Sequence, residues 1–439
     1  MKKLIKIFYP LTIVMFFSLL ASCAKSDPDP VINPFSNGTD QRNLIVIVSD
    51  MHLGADSAYA ECNKNVGPLA KLLQQIRVSA NVKELVIAGD LIDEWFVPAT
   101  TDTYNGKDQS DFVNRVAVTN KAVFDVLNQI IQDGIIKVIY VPGNHDLTIT
   151  AENISLILPG ISQARDNKLG LGTYSPADFP QIAIEHGHRY NFFCAPDPFS
   201  NQDIAPGTIM PPGYFFTRMA ALHVKQKCEK SGDDLPVVTP NASGDENQQL
   251  AYKYWQNWAW SINMLPVTNM FNEKIFVTNV NGFTKTYSID DLLPFQTTPG
   301  GFIDMKLFED IEKQWEDRQN YNNVAIPNKT DRSIDSVATS SETDYQAQVQ
   351  YFLNSASDKR IVVFGHTHDP KIISSLNYNN QKSIYANSGT WIDSNPLKTT
   401  MNFVVITPQN ADVTSQTSVS LYNFMNEQIT NMATDCLRY

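Results

Sequence analysis

Leu44-Ile45-Val46-Ile47-Val48-Ser49-Asp50-Met51-His52 is the stretch on which the reading of this chain turns. Five consecutive apolar residues read as a central strand buried on both faces. An Asp and a His follow at once, and the pattern recurs. Leu85-Val86-Ile87-Ala88 runs into Gly89-Asp90-Leu91-Ile92-Asp93, and Val138-Ile139-Tyr140-Val141 precedes Gly143-Asn144-His145-Asp146. Ile182-Ala183-Ile184 leads to His186-Gly187-His188, and Ile361-Val362-Val363-Phe364 to Gly365-His366-Thr367-His368. Of the 7 histidines only His223 lies outside these patterns, and no catalytic part is expected of it. Side chains just past strand ends gather at one rim of a sheet. Imidazoles and carboxylates gathered there make a metal site, here with enough donors for two ions.

The residue types suit that chemistry. Two cations a few ångströms apart repel, and a carboxylate between them screens the repulsion. Asp90, ending a strand, is the natural bridge. Asp50 and His52 are two residues apart, so on an extended segment both point the same way and can chelate one ion. His366 and His368 share that spacing. Asn144 can offer an amide oxygen, and neutral imidazoles complete a site without adding negative charge.

Working outward, Val66 to Arg77 is helical by its Leu69/Leu72/Leu73/Ile76 stripe, and Phe112 to Ile131 reads as one long helix. Strand and helix alternate, so the sheet is partly parallel. A second group of strands begins at Ile361, with Ser383–Ala386, Phe403–Ile406 and Ser418–Tyr422 following. The core therefore comprises residues 43–194 and 359–439, interrupted by an insertion over 195–358. Within the insertion, Tyr214 to Lys227 is helical, and Trp255, Trp258, Ile262 and Leu265 recur at helical spacing as a core stripe. Asn281-Gly282 is a type I′ turn between Lys274–Val280 and Phe283–Ile289. Gln319 to Asp344 is polar and reads as loop-rich. Arg218 reads as a surface or salt-bridged residue, and Cys194 as buried or disulfide-bonded.

The order Asp-x-His, Gly-Asp-x-x-Asp, Gly-Asn-His-Asp, His-Gly-His, Gly-His-x-His resembles the calcineurin-like metallophosphoesterase superfamily, over Asn43–Tyr190 and Arg360–Thr407. The resemblance implies a four-layer αββα sandwich; the insertion, which it does not cover, is expected to form a large mixed cap over the site. It implies two divalent or trivalent transition metal ions, drawn from manganese, iron and zinc. Asp50, His52, Asp90 and His368 would hold one, and Asp90, Asn144, His186 and His366 the other. His145 would face the substrate, oriented by Asp146. Asp93 is expected to satisfy backbone amides, and His188 to be an outer contact or an ordinary loop residue. The stretch Gly89-Asp90-Leu91-Ile92-Asp93-Glu94-Trp95 is similar to the branch containing UDP-2,3-diacylglucosamine hydrolases. The long insertion and an export signal depart from that branch, so its substrate is not carried over.

The chemistry implied is hydrolysis of a phosphate ester by a hydroxide bridging the metals, with His145 protonating the leaving group or stabilising its developing charge. Lipidic esters and nucleotides are both candidate substrates. A phosphate-scavenging phosphomonoesterase or nucleotidase and a non-catalytic metal-bound scaffold are the alternatives. The net charge of −12 argues against a nucleic-acid partner, which wants a basic face.

The N-terminus reads as a targeting segment. Lys2, Lys3 and Lys6 precede the apolar stretch Leu11–Leu20, too short to span a bilayer comfortably. It ends in Leu20-Ala21-Ser22-Cys23, which resembles the lipobox of bacterial lipoproteins. Residues 1–23 are then a signal peptide ending in the acylated Cys23, and 24–42 a tether. Such a chain is expected at the bacterial cell envelope, anchored to the outer membrane or cell surface. Cys62, Cys194, Cys228 and Cys436 permit three disulfide pairings, among which spacing does not choose.

Overall fold

The computed structural model describes residues 33–438 apart from 336–339, 397 and 411–414. The segment read as a signal peptide, with Cys23, lies outside the described residues, as does the expected tether up to residue 32. In chain order, the first half contains β1 (Leu44–Val48), α1 (Val66–Arg77), β2 (Val82–Ala88), α2 (Gln109–Thr119), α3 (Lys121–Asp133) and β3 (Lys137–Val141). Next come α4 (Ala151–Ile157), β4 (Ser162–Gln163), β5 (Thr173–Tyr174) and β6 (Ile182–Glu185). The middle of the chain contributes α5 (Pro212–Gln226), α6 (Glu246–Met264), β7 (Phe276–Val277), β8 (Thr286–Tyr287), α7 (Ile289–Leu292), β9 (Phe295–Gln296) and β10 (Ile303–Asp304). It closes with α8 (Trp315–Tyr321), α9 (Thr330–Asp335) and α10 (Ser340–Ala347), the last continuing into a π-helical turn at Gln348–Phe352. The final strands are β11 (Ile361–Phe364), β12 (Lys371–Leu376), β13 (Lys382–Asn387), β14 (Asn402–Thr407), β15 (Thr417–Met425) and β16 (Gln428–Leu437).

Two mixed sheets face each other. One has the order β16-β15-β14-β1-β2-β3-β4 and the other β12-β13-β11-β6-β5. The strands at the centre, β1-β2-β3 in one and β6-β11-β13 in the other, run parallel within their own sheet. Strand periodicity sorts their side chains. Ile45, Ile47, Val86, Ala88, Ile184, Val363 and Ala386 fill the space between the sheets. Leu44, Val46 and Val48 instead turn to the helices, where Leu69, Leu72, Leu73 and Ile76 of α1 are buried. Each such side chain contributes roughly 1.5–3 kcal/mol by leaving water. On the far side, Val362, Phe364 and Tyr385 pack with Ala347 and Phe352. The result is an α/β sandwich of four layers. Within the stretch read as a tether, Phe35 is buried and stacks on Phe403.

The expected helix Phe112–Ile131 is in fact two. Asn120 breaks it with φ −107° and ψ 34°, and its amide donates to the carbonyls of Val116 and Gly54. An Asn side chain competing for backbone carbonyls ends a helix that periodicity alone would continue. Gln319–Asp344 also differs from expectation, because it carries α8, α9 and part of α10. There polar residues are packed: Gln319 donates to Asn328 O and accepts from Asn328 N, so a buried amide is satisfied and no apolar stripe shows. The hairpin matches its reading. Asn281 and Gly282 have φ of 44° and 88°, and Val280 faces Phe283.

Candidate metal centre

Each expected donor follows the C-terminal end of a parallel strand, and the two sheets share the task. After β1, β2 and β3 come Asp50, His52, Asp90, Asn144 and His145; after β6 and β11 come His186, His366 and His368. Five of these residues have left-handed backbones: Asp50 (φ 51°), His52 (46°), Asp90 (51°), His366 (67°) and His368 (55°). Each such residue stores about 1–3 kcal/mol of strain that the surrounding fold must offset. The paired donors thus converge because the chain curls, and the extended segment expected for Asp50/His52 and His366/His368 is absent. The curl is fixed by hydrogen bonds, with Met51 N and His52 N both donating to Asp90 O at 2.9 Å. Close approach requires glycine at three points. A Cβ on Gly143 would overlap Asp90 Oδ1, one on Gly89 would overlap His186 Nδ1, and one on Gly365 would overlap Asp50 Oδ2.

The donor atoms meet at short range. Asp90 Oδ2 lies 3.1 Å from His186 Nε2 and 3.5 Å from His52 Nε2. Asp50 Oδ1 is 3.2 Å from His368 Nε2 and 3.9 Å from the Nε2 atoms of both His52 and His186. Asn144 Oδ1 is 3.0 Å from His186 Nε2. His366 joins through its ring, 5.2 Å from that of His186. Among the described residues three donor groups emerge: Asp50/His52/His368, Asp50/Asp90/His186 and, beside them, His52/Glu61/Asp93/His145. The opposite ring nitrogens are held from behind: His186 Nδ1 donates to Ala88 O at 2.8 Å, and His52 Nδ1 faces Asp93 Oδ2 at 3.1 Å and Glu61 Oε2 at 3.2 Å. An imidazole so anchored presents its Nε2 lone pair inward.

Charge balance tests whether cations fit. Asp50 and Asp90 are buried, and among the described residues their ion pairs are all to histidine. Burial opposes a charge on His186, yet Asp90 and then Asp50 hold its pKa up to about 9. Burial and the adjacent His186 push His366 down to about 3. The buried carboxylates thus favour positive charge beside them. His52 and His368 stand Nε2 to Nε2 at 3.1 Å, a spacing that needs a proton or a cation between them. Buried carboxylates, an amide oxygen and imidazoles are a donor set for a pair of transition metal ions.

His145 sits beside this cluster, and here one expectation is corrected. Its Nδ1 is 2.8 Å from Asp93 Oδ1, whereas Asp146 accepts from the backbone of Leu91 and Gly143. Asp146 therefore ties the β3 loop to the β2 loop, and Asp93 orients the imidazole. Asp93 also accepts from Trp95 N and Phe96 N, so it fills the structural part expected of it and a positioning part that was missed. Burial and the neighbouring His52 lower the pKa of His145, but Asp93 and Asp90 together leave the imidazole above its ordinary value. Trp95 stacks on the ring at 5.0 Å. His188 is buried, donates from Nε2 to Gly170 O at 3.0 Å and lies behind His186 and His366. Burial and then His186 hold it well below the usual range, hence neutral.

Asp344 of α10 was also missed. It accepts from Thr367 Oγ1, between the two histidines of the last pattern, and pairs with Lys371. Arg218 is neither exposed nor salt-bridged: it is fully buried and donates to the carbonyls of Val97, Ala99 and Val277. Trp258 and Ile262 are core, as read. His223 is remote from the cluster in role, binding Pro266 O. Cys62, Cys194 and Cys228 are free thiols, and burial, with Asp90 adding, pushes Cys194 up to about 12. No helix among the described residues is long and apolar enough to cross a membrane.

Comparison with curated proteins gives no match. The strand-end donors and the sandwich that carries them agree with a family comparison: residues 44–209 match the family described as calcineurin-like phosphoesterase.

Proposed function

We propose that this chain hydrolyses phosphate esters with two metal ions, at a bacterial cell envelope to which acyl chains on Cys23 anchor it. The observation that carries the catalytic part is the convergence of Asp50, His52, Asp90, Asn144, His186 and His368 from two sheets within 3.0–3.9 Å contacts. The anchoring rests on the Lys-rich, apolar N-terminus and Ala21-Ser22-Cys23.

Asp50, His52, Asp90 and His368 would hold one ion, and Asp90, Asn144, His186 and His366 the other. Bound there, the ions would supply positive charge to the phosphoryl oxygens and lower the pKa of a water. The chain's own groups supply the rest. Asp93 accepts a hydrogen bond from Nδ1–H of His145, which fixes the ring and leaves Nε2 to the substrate side. Asp93, with Asp90, favours the form of His145 that carries a second proton, on Nε2. As water oxygen bonds to phosphorus and the bond to the leaving oxygen breaks, that proton passes to the leaving alcohol. The water's proton returns to His145, so one ester and one water give one alcohol and one phosphate.

A panel of mono-, di- and pyrophosphate esters, tested with manganese, iron or zinc on the full chain, checks this reading. Metal-dependent release of alcohol, abolished by chelation, is expected. Stoichiometric binding of fewer than two ions, or no turnover on any ester, would refute it.

A further inference from the structure

A groove of about 350 Å³ opens from His52, His145 and His368 and runs between the strand-end loops and two helices of the insertion. Its walls are unlike the cluster it leaves. α5 presents Gly213, Phe216, Thr217 and Ala220, one helical face at i, i+3, i+4 and i+7, while α6 presents Trp260. No Lys or Arg lines it, and the acidic group on its wall is Glu61. Phe216 is braced by stacking on Trp258 with ring centres 3.9 Å apart. The apolar surface continues outward on the same helical rows: Val224, four residues after Ala220, and Met264, four after Trp260, are 48% and 59% exposed. Ligand sites of this kind discriminate by apolar area, with few polar groups.

We propose that this groove receives the leaving group, and that the preferred substrate is a phosphate ester of an extended, uncharged, apolar alcohol. The inference rests on the phosphoesterase reading and selects within it. The groove starts at His145, where the leaving oxygen takes its proton, so whatever fills it is attached through that oxygen. A leaving group with further phosphates would meet Glu61 and find no cationic side chain. The open end and its outward rows suit a chain longer than the groove.

The test is kcat/KM of the full chain, loaded with manganese, on butyl, hexyl and octyl phosphates and on the matching methyl alkyl diesters, all below micelle formation. ADP, whose leaving group is anionic, is the counter-substrate. Half-burial of the chain predicts roughly a twofold gain per methylene, so about 16-fold from butyl to octyl in the better series, with ADP at least tenfold poorer than the octyl ester. Trp260→Ala, on an exposed side chain that the core does not need, should cut the octyl-to-butyl ratio to below about fourfold. A flat series with good turnover, or ADP exceeding the octyl ester, overturns the leaving-group assignment and leaves the phosphoesterase reading standing. No turnover on any ester overturns both.

Discussion

The rim of strand ends and the wall of the groove are built on opposite principles. At the rim, donors from five strands of two sheets are placed by point contacts, left-handed backbone and glycines that no methyl group can replace. At the wall, one helical face and an exposed Trp present area without a charged partner to satisfy. On the proposed reading, the first arrangement would determine which bond breaks, and it tolerates almost nothing. The second determines which molecule is held, and its response to change is graded, since apolar transfer scales with surface.

Substitution can break this contrast or sharpen it. The largest effect is expected from Asp90→Asn. The carboxylate is shared by His52 and His186, so calorimetric titration should show loss of one ion and turnover should fall by roughly 10²–10³, the scale of removing one preorganised electrostatic partner. Retention of both ions with full turnover would contradict the shared role. Next is Glu312, far from the rim in sequence and buried in the insertion, where burial, with Asp310 adding, raises its pKa to about 7. The native state keeps its proton while the unfolded state loses it near pH 4.5, so stability falls as pH rises from about 4.5 to 7. The shift corresponds to at most about 3 kcal/mol. Glu312→Gln should therefore be more stable than wild type to urea at pH 8 and about equal at pH 4.5, with metal binding unchanged. Equal stability at both pH values would show that this carboxyl ionises freely. A smaller effect is expected of Asp93→Asn. Losing the partner behind His145 and His52 should lower kcat by about 10–100-fold. Because Asp93 raises the pKa of His145 and the donor must be protonated, the variant's kcat should also decline at a lower pH than wild type's. An unshifted alkaline limb would place the acid elsewhere.

Much of the rim was legible because central strands buried on both faces announce themselves as apolar runs, and the donors follow directly in sequence. The curl that aims them was not legible: φ near +50° at Asp50 or His368 leaves no mark in composition. Asp93 was read as an amide-satisfying residue, which it is. Its bond to the His145 imidazole, and its other oxygen's approach to His52, are visible only once those rings lie on either side of it. Asp344 belongs to a polar helix more than twenty residues before the loop that it steadies, so nothing local ties it to Thr367. Edge strands β12 and β16, exposed and rich in polar residues, lack the apolar run that reveals β1 or β11. The packed amide of Gln319 looks like loop until its partner Asn328 is seen.

Donors drawn from two different sheets have a mechanical corollary. The spacing between an oxygen that follows β1 and a nitrogen that follows β11 is inherited from whatever keeps those layers apart, namely Ile47, Val363 and their neighbours. That hydrocarbon filling is the shim of the instrument: shave a methyl from it, many residues from any reacting atom, and the gauge of the reaction centre changes with it.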